Sequence, residues 1–180
     1  MNLQRLYLKN LSEIYCDIYC DFKFISCAAI LSAKELSIVW GSDSRYWKWV
    51  SKTSPINCEA LDVAELVKVC WLQVNGKYSV NNLTKGVKYG VYLVVELNNS
   101  LSINGPVTLT LTSPDGCTVE QHDDLHTKPK NTWVGLKVGE FTNPACGCEK
   151  TVKFSMNGCD GTSWKTGLTV IGAVIAPVIC

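Results

Sequence analysis

The residues Ser37 to Trp49 place Trp40, Tyr46, Trp47 and Trp49 among Ser42, Asp43 and Arg45, directly after a short apolar run. An indole offers a broad apolar plate that can lie on the C–H face of a sugar ring, while hydroxyl, carboxylate and guanidinium groups meet ring hydroxyls. This combination suits a saccharide. The competing reading is a packing cluster, because tryptophan is mostly buried in any fold. On a regular strand Trp47 and Trp49 point one way and Tyr46 and Lys48 the other. The aromatics therefore cannot all face one ligand, and at least one belongs to the core.

Other residues that could do chemistry give weaker patterns. His122 and His126 precede Cys146 and Cys148, with Cys117 and Cys159 nearby, all of them zinc-ligand types. No pair of Cys-x-x-Cys motifs accompanies them, and Asp123-Asp124 reads as a solvated loop; free thiols or a disulfide are the competing readings. No cofactor is expected. Hydrolysis of a glycosidic bond needs two positioned carboxylates, and nothing in the spacing of Asp43, Glu65 and Glu140 marks an acid and a nucleophile. There is no Gly-x-Ser-x-Gly elbow, no phosphate-cradling glycine loop and no Cys/His dyad. The chain thus reads as a binding protein and not an enzyme. Its 17 basic and 16 acidic residues give a formal net charge of +1, so no strong field draws it to nucleic acid or an anionic membrane. Lys128-Pro129-Lys130 with exposed aromatics keeps nucleic acid as a minor alternative.

The elements that must position these residues are mostly strands. Val107 to Thr112 alternates apolar and hydroxyl side chains; Val152, Phe154 and Met156 alternate with polar neighbours; Val91, Leu93, Val95 and Leu97 form a third stripe. Turns are expected at Asn75-Gly76, Asn104-Gly105-Pro106, Ser113-Pro114-Asp115-Gly116, Asn143-Pro144 and Asp160-Gly161. Many short strands with regular turns and no internal repeat indicate an all-β, antiparallel β-sandwich. Glu59 to Val69 is ambiguous between helix and extended chain. Leu168 to Cys180 is too short for a membrane span and reads as a final strand.

The 180 residues suit one domain. Residues 1–27 repeat Tyr-Cys and read as an N-terminal extension, either a short amphipathic helix or a disordered arm, before a domain over residues 28–180. Arg5, Lys9, Glu13, Asp17, Asp21 and Lys23 interrupt any signal-peptide core, so a cytoplasmic start without signal peptide is expected. There most of the ten cysteines stay reduced, and Cys70 reads as a buried small hydrophobe. Sequons at Asn10, Asn82 and Asn98 would then be idle.

The Leu36-Ser37-Ile38-Val39-Trp40 stretch, followed by Tyr46-Trp47 and Trp49, resembles the opening motif of the phloem protein 2, or Nictaba-type, plant lectins. Val63 to Leu72, Gly76-Lys77, Tyr92 to Val95, Trp133 with Gly139-Glu140-Phe141, and Trp164 to Leu168 follow in the family's order, from about Ala29 to Pro177. The small cucurbit phloem exudate lectins are nearest in flavour. The resemblance implies a jelly-roll sandwich that binds N-acetylglucosamine (chitin) oligomers or glycoproteins, as a homodimer, in phloem sieve-element sap, for defence or wound response. The saccharide reading takes Trp40, Ser42, Asp43, Arg45, Tyr46, Trp47 and Trp49 as sugar contacts, and Trp133 and Glu140, which match family positions, join them; Trp71 and Trp164 each adjoin an apolar run and are assigned mainly to packing. By the same analogy Glu59 to Val69 is a loop leading into a long strand containing Trp71. In oxidising sap Cys16, Cys20 and Cys180 would pair between chains, so a thiol-cross-linked structural phloem protein is the alternative, as is an RNA-binding one. At Thr151, Lys153 and Asn157 to Asp160 the chain departs from family members that carry acids there.

Overall fold

Alternation between apolar and polar side chains, with hydroxyl and β-branched residues in between, commits most of this chain to extended backbone. The computed structural model describes residues 28–53, 60–144, 151–158 and 161–178. The strands are β1 (Ala29–Ser32), β2 (Ser37–Ile38), β3 (Trp47–Thr53), β4 (Ala60–Leu66), β5 (Leu72–Ser79), β6 (Lys88–Ser102), β7 (Val107–Thr112), β8 (Thr118–Asp123), β9 (Trp133–Thr142), β10 (Thr151–Gly158) and β11 (Thr166–Pro177). Single 3-10 turns at Ala33–Glu35, Val80–Asn82 and Leu125–Thr127 are the helical content of the described residues.

These strands form two antiparallel sheets. The six-stranded sheet runs β3-β4-β11-β6-β9, with β1 also on β11, and the five-stranded sheet runs β2-β5-β10-β7-β8. Between β4 and β11 the chain passes repeatedly from one sheet to the other, giving the jelly-roll sandwich expected from sequence. The stripes Val91, Leu93, Val95 and Leu97 from one sheet meet Leu109, Leu111, Val152, Phe154 and Met156 from the other in one continuous core. Each fully buried aliphatic side chain contributes roughly 1.5–3 kcal/mol, so the two inner faces hold the sheets together.

The outer faces differ. Val63, Val94, Trp133, Ile171, Val174 and Ala176 form a second apolar cluster on the six-stranded sheet. The five-stranded sheet turns outward Gln73, Asn75 and Lys77 of β5, Thr108, Thr110 and Thr112 of β7, and Lys153, Ser155 and Asn157 of β10.

Two local expectations are corrected. Asn75-Gly76 is not a turn but lies inside β5, where Gly76 faces Phe154 across the ladder. A Cβ there would sit 2.2 Å from two ring carbons of Phe154, so glycine is required by packing and not by a turn. Within Glu59 to Val69, Ala60–Leu66 is strand β4, paired with β3 on one side and β11 on the other. Two waiting strand edges outweigh the helical propensity of its alanines and leucines. Trp71 precedes β5 and is not inside a long strand. The helix-or-arm reading of residues 1–27, and Cys16, Cys20 and Cys180, fall outside the described residues.

Where β11 begins, its register against β6 shifts between Thr166 and Leu168. Gly167 stands at the shift with φ of +82°, and a Cβ there would lie 2.4 Å from the Leu101 nitrogen. Gly167→Ala combines a left-handed strain with a backbone clash, so it should cost upwards of about 2 kcal/mol. Urea unfolding should show the midpoint lowered with little change in slope.

Candidate functional site

The β2–β3 connection is a sequence of tight turns. Gly41 N–H donates to the Ile38 carbonyl at 2.9 Å, closing a turn whose third residue is Trp40 with φ of +58°. That position ordinarily takes glycine or asparagine, and a bulky residue there stores about 1–3 kcal/mol of strain. Asp43 N–H then donates to the Trp40 carbonyl, and the N–H groups of Tyr46 and Trp47 to the Asp43 carbonyl. From β3 two indole N–H groups reach back into the loop: Trp47 Nε1 donates to Val39 O at 3.1 Å and Trp49 Nε1 to Gly41 O at 2.7 Å. They bracket Trp40, whose ring is left 47% exposed.

Trp47 is 2% exposed and packs in the main core, so it has no face to offer a ligand. Its part is to position the turn. Trp49 is 36% exposed, with the Lys34 ammonium 5.8 Å from its ring centre. Tyr46 packs on the core edge and its ring lies 5.0 Å from that of Trp40, tilted by 32°. Above Tyr46 sits the Arg45 guanidinium at 5.3 Å. Arg45 in turn donates to Asp43 from its backbone N, Nε and Nη2; these bonds hold the Asp43 carboxyl below its ordinary range, and Asp43 in return raises the basicity of the Arg45 guanidinium. Asp43 and Arg45 thus satisfy chiefly one another, building a tier of guanidinium, phenol and indole. Ser42 is exposed at the turn.

Two further connections join this end of the sandwich. The Tyr46 carbonyl accepts from the N–H groups of Val67 and Lys68, and Val69 and Lys165 exchange backbone hydrogen bonds of 3.1 and 2.7 Å. Trp71 is 49% exposed and Trp164 54% exposed, which corrects their assignment to packing. Trp71 Nε1 donates to Gln73 Oε1 at 2.8 Å, and the Lys68 ammonium lies 5.3 Å from the Trp164 ring. Their apolar sequence neighbours Leu72 and Leu168 point inward. Alternation alone, counted from Leu72, would have placed Trp71 outward.

Lys165, the residue after Trp164, is only 1% exposed. Its ammonium donates to the carbonyls of Cys70 at 2.9 Å and Ser163 at 3.1 Å, tying the two tryptophan-bearing loops to one charged group. Burying a cation is tolerable only with such acceptors.

Trp133 and Glu140 sit apart, on β9 at the edge opposite β3. Trp133 is 8% exposed within the outer apolar cluster, so it does not present a ring. Glu140 pairs with Lys137 and Lys88, which hold its carboxyl below the usual glutamate range. His122 contacts Thr108 and Glu120, and His126 Nε2 lies 2.8 Å from Ile103 O. No group of three metal-ligating side chains occurs among the described residues, which exclude Cys146, Cys148 and Cys159. Cys70 is half-buried, not fully buried.

Comparison with known proteins places these features in context. The family model of phloem protein 2 matches residues 26–177. Protein PHLOEM PROTEIN 2-LIKE A1 of Arabidopsis thaliana is 36% identical over 151 residues, covering 82% of this chain and 61% of that protein. A protein named Lectin from Luffa acutangula is 34% identical over 173 residues, covering 96% of this chain and 79% of that one. Among solved structures, the CBM22-1 xylan-binding domain of Paenibacillus barcinonensis Xyn10C superposes with a TM-score of 0.42 at 13% identity, covering 86% of this chain and 96% of that one.

Replacing Lys165 by methionine leaves buried carbonyls without their donor and should cost about 1–3 kcal/mol; chemical denaturation followed by tryptophan fluorescence measures it. For Glu140, a folded-state pKa below the unfolded one means that its stabilisation is present above the unfolded value, near 4.3, and is lost as pH falls through the lowered one. Melting temperatures from pH 7 to pH 2.5 should therefore fall less steeply in the acid limb for Glu140→Gln than for the parent.

Proposed function

The chain belongs to the phloem protein 2 family, and we propose from that premise that it is a lectin which binds N-acetylglucosamine (chitin) oligomers, or glycoproteins bearing them, without altering them. The observation that carries this reading is Trp40, held half-exposed in a strained turn by two indole N–H groups and backed by Tyr46. Strain of this kind persists where the surroundings over-determine it, and clusters at binding sites. Trp71 and Trp164 stand open at the same end of the sandwich, so an oligomer can meet more than one indole. The lectin name of the Luffa acutangula relative supports the class of ligand.

Magnitudes make a single site weak. Covering about 100 Å² of apolar surface between indole and sugar gives ~2.5 kcal/mol, and a few net hydrogen bonds add about 1 kcal/mol each. After the cost of immobilising the ligand, a Kd of roughly micromolar to millimolar follows. A homodimer engaging one polymer would recover affinity through effective concentration. Release into sieve-element sap, where agglutination serves defence or wound sealing, fits this multivalent use.

Calorimetric titration with chitotriose tests the reading: the folded parent should bind in that range, and absence of binding rejects it. Trp40→Ala should weaken binding at least about tenfold. Trp40→Gly relieves the turn but loses the Trp40–Tyr46 ring contact, so its stability should stay within about 1 kcal/mol of the parent while binding falls equally. Trp47→Ala, by contrast, should cost about 3–5 kcal/mol of stability.

A further inference from the structure

On the outer face of the five-stranded sheet a relay of hydrogen bonds runs along β5 in one direction. Trp71 Nε1 donates to Gln73 Oε1 at 2.8 Å, Gln73 Nε2 to Asn75 Oδ1 at 3.2 Å, and Asn75 Nδ2 to the Ser37 carbonyl at 3.5 Å. An indole N–H can only donate and a backbone carbonyl can only accept, so the two ends fix which way each carboxamide points. A carboxamide has two N–H donors and two oxygen lone pairs. The relay uses one of each, and both Gln73 and Asn75, half-buried on the strand, keep one donor and one lone pair for a ligand.

Strand register sets Asn157 of β10 opposite Gln73 and Ser155 opposite Asn75, with Thr108 and Thr110 of β7 beyond them. These six side chains form a grid of uncharged donors and acceptors, spaced about 6.7 Å along a strand and about 4.8 Å across strands. Asn75, Ser155 and Thr110 line a cleft of about 420 Å³, within the roughly 300–1,000 Å³ typical of small-ligand sites. Glu35, Lys77 and Lys153 also line it, so its charges are of both signs. At the head of the relay stands Trp71, 49% exposed, with its N–H already engaged; what it offers a ligand is the apolar face of the ring. The Val39 N–H donates to the Gln73 carbonyl at 3.0 Å, so the turn that carries Trp40 leaves the ladder beside Gln73. The indole end and the polar grid adjoin.

We propose that the sugar site at Trp40 extends past Trp71 onto this grid, where Gln73 and Asn75 read the acetamido groups of an N-acetylglucosamine chain. An acetamido group carries one N–H and one carbonyl, which matches the donor and lone pair that each carboxamide has left. Sugar hydroxyls meet Ser155, Asn157 and Thr110. A short oligomer occupies the indoles alone, and a longer one reaches the grid. This extension rests on the chitin reading above and adds to it the residues that tell an N-acetylated chain from a plain glucose chain.

Calorimetry on the full chain with chitotriose, chitohexaose and cellohexaose tests it. Chitohexaose should bind at least about tenfold more tightly than chitotriose and at least about fivefold more tightly than cellohexaose, with little change as salt rises from about 20 to about 300 mM, because the ligand is uncharged. In the Gln73→Val/Asn75→Val double variant, whose β-branched side chains suit a strand, chitohexaose should bind within about twofold of chitotriose and lose its advantage over cellohexaose. Chitotriose binding should stay within about twofold of the parent. Asn75→Ala, which keeps the Trp71–Gln73 bond, is the milder variant and should weaken chitohexaose alone by at least about threefold. Equal affinity of the parent for chitotriose and chitohexaose, or an undiminished preference for chitohexaose in both variants, would overturn the extension and leave the chitin reading standing. Failure of every chitin oligomer to bind the parent would reject both.

Discussion

Two indole N–H groups aimed backward from β3 govern what the open end of this molecule can do. Trp47 and Trp49 hold the carbonyls on either side of Trp40, and without them a tryptophan at φ of +58° has cheaper conformations available. The turn sits at the edge of a core that buries Trp47 almost fully, so the energy that stabilises the sandwich also sets the pose of an exposed ring. The pose of the Trp40 ring and the folding of the sandwich are therefore coupled through one side chain, Trp47.

The rest of that end is assembled in the same manner, by loops whose backbone groups are tied to each other and to rigid strands. Tyr46 accepts from the β4–β5 connection, which in turn exchanges hydrogen bonds with the start of β11. A single buried ammonium, Lys165, bridges the loops carrying Trp71 and Trp164. Rings on loops tied down in this way have little conformational freedom left to lose, which favours the proposed sugar binding, where each contact is individually weak.

Charge is spent locally. Asp43 with Arg45, Glu140 with Lys88 and Lys137, Lys34 with Asp62, and Lys128 with Asp123 each pair nearby. Exposed pairs of this kind contribute little stability and are screened by salt.

Much of the architecture could be read directly from residue order. Period-two stripes identify β6, β7 and β10 because a sandwich strand must bury alternate side chains, and the Gly-Pro and Asp-Gly clusters end strands because they supply turn dihedrals. The ordered tryptophan motifs also pointed to the phloem protein 2 family. Locally ambiguous segments were decided elsewhere in the fold: Ala60–Leu66 became a strand because β3 and β11 offered it edges, and Asn75-Gly76 stayed in a strand because Phe154 lies over it. Which tryptophans stand open was likewise a tertiary matter. Trp47 and Trp133 are sealed while Trp40, Trp71 and Trp164 are exposed, a partition that residue type cannot announce, since exposure depends on which neighbours the register of distant strands brings over each ring.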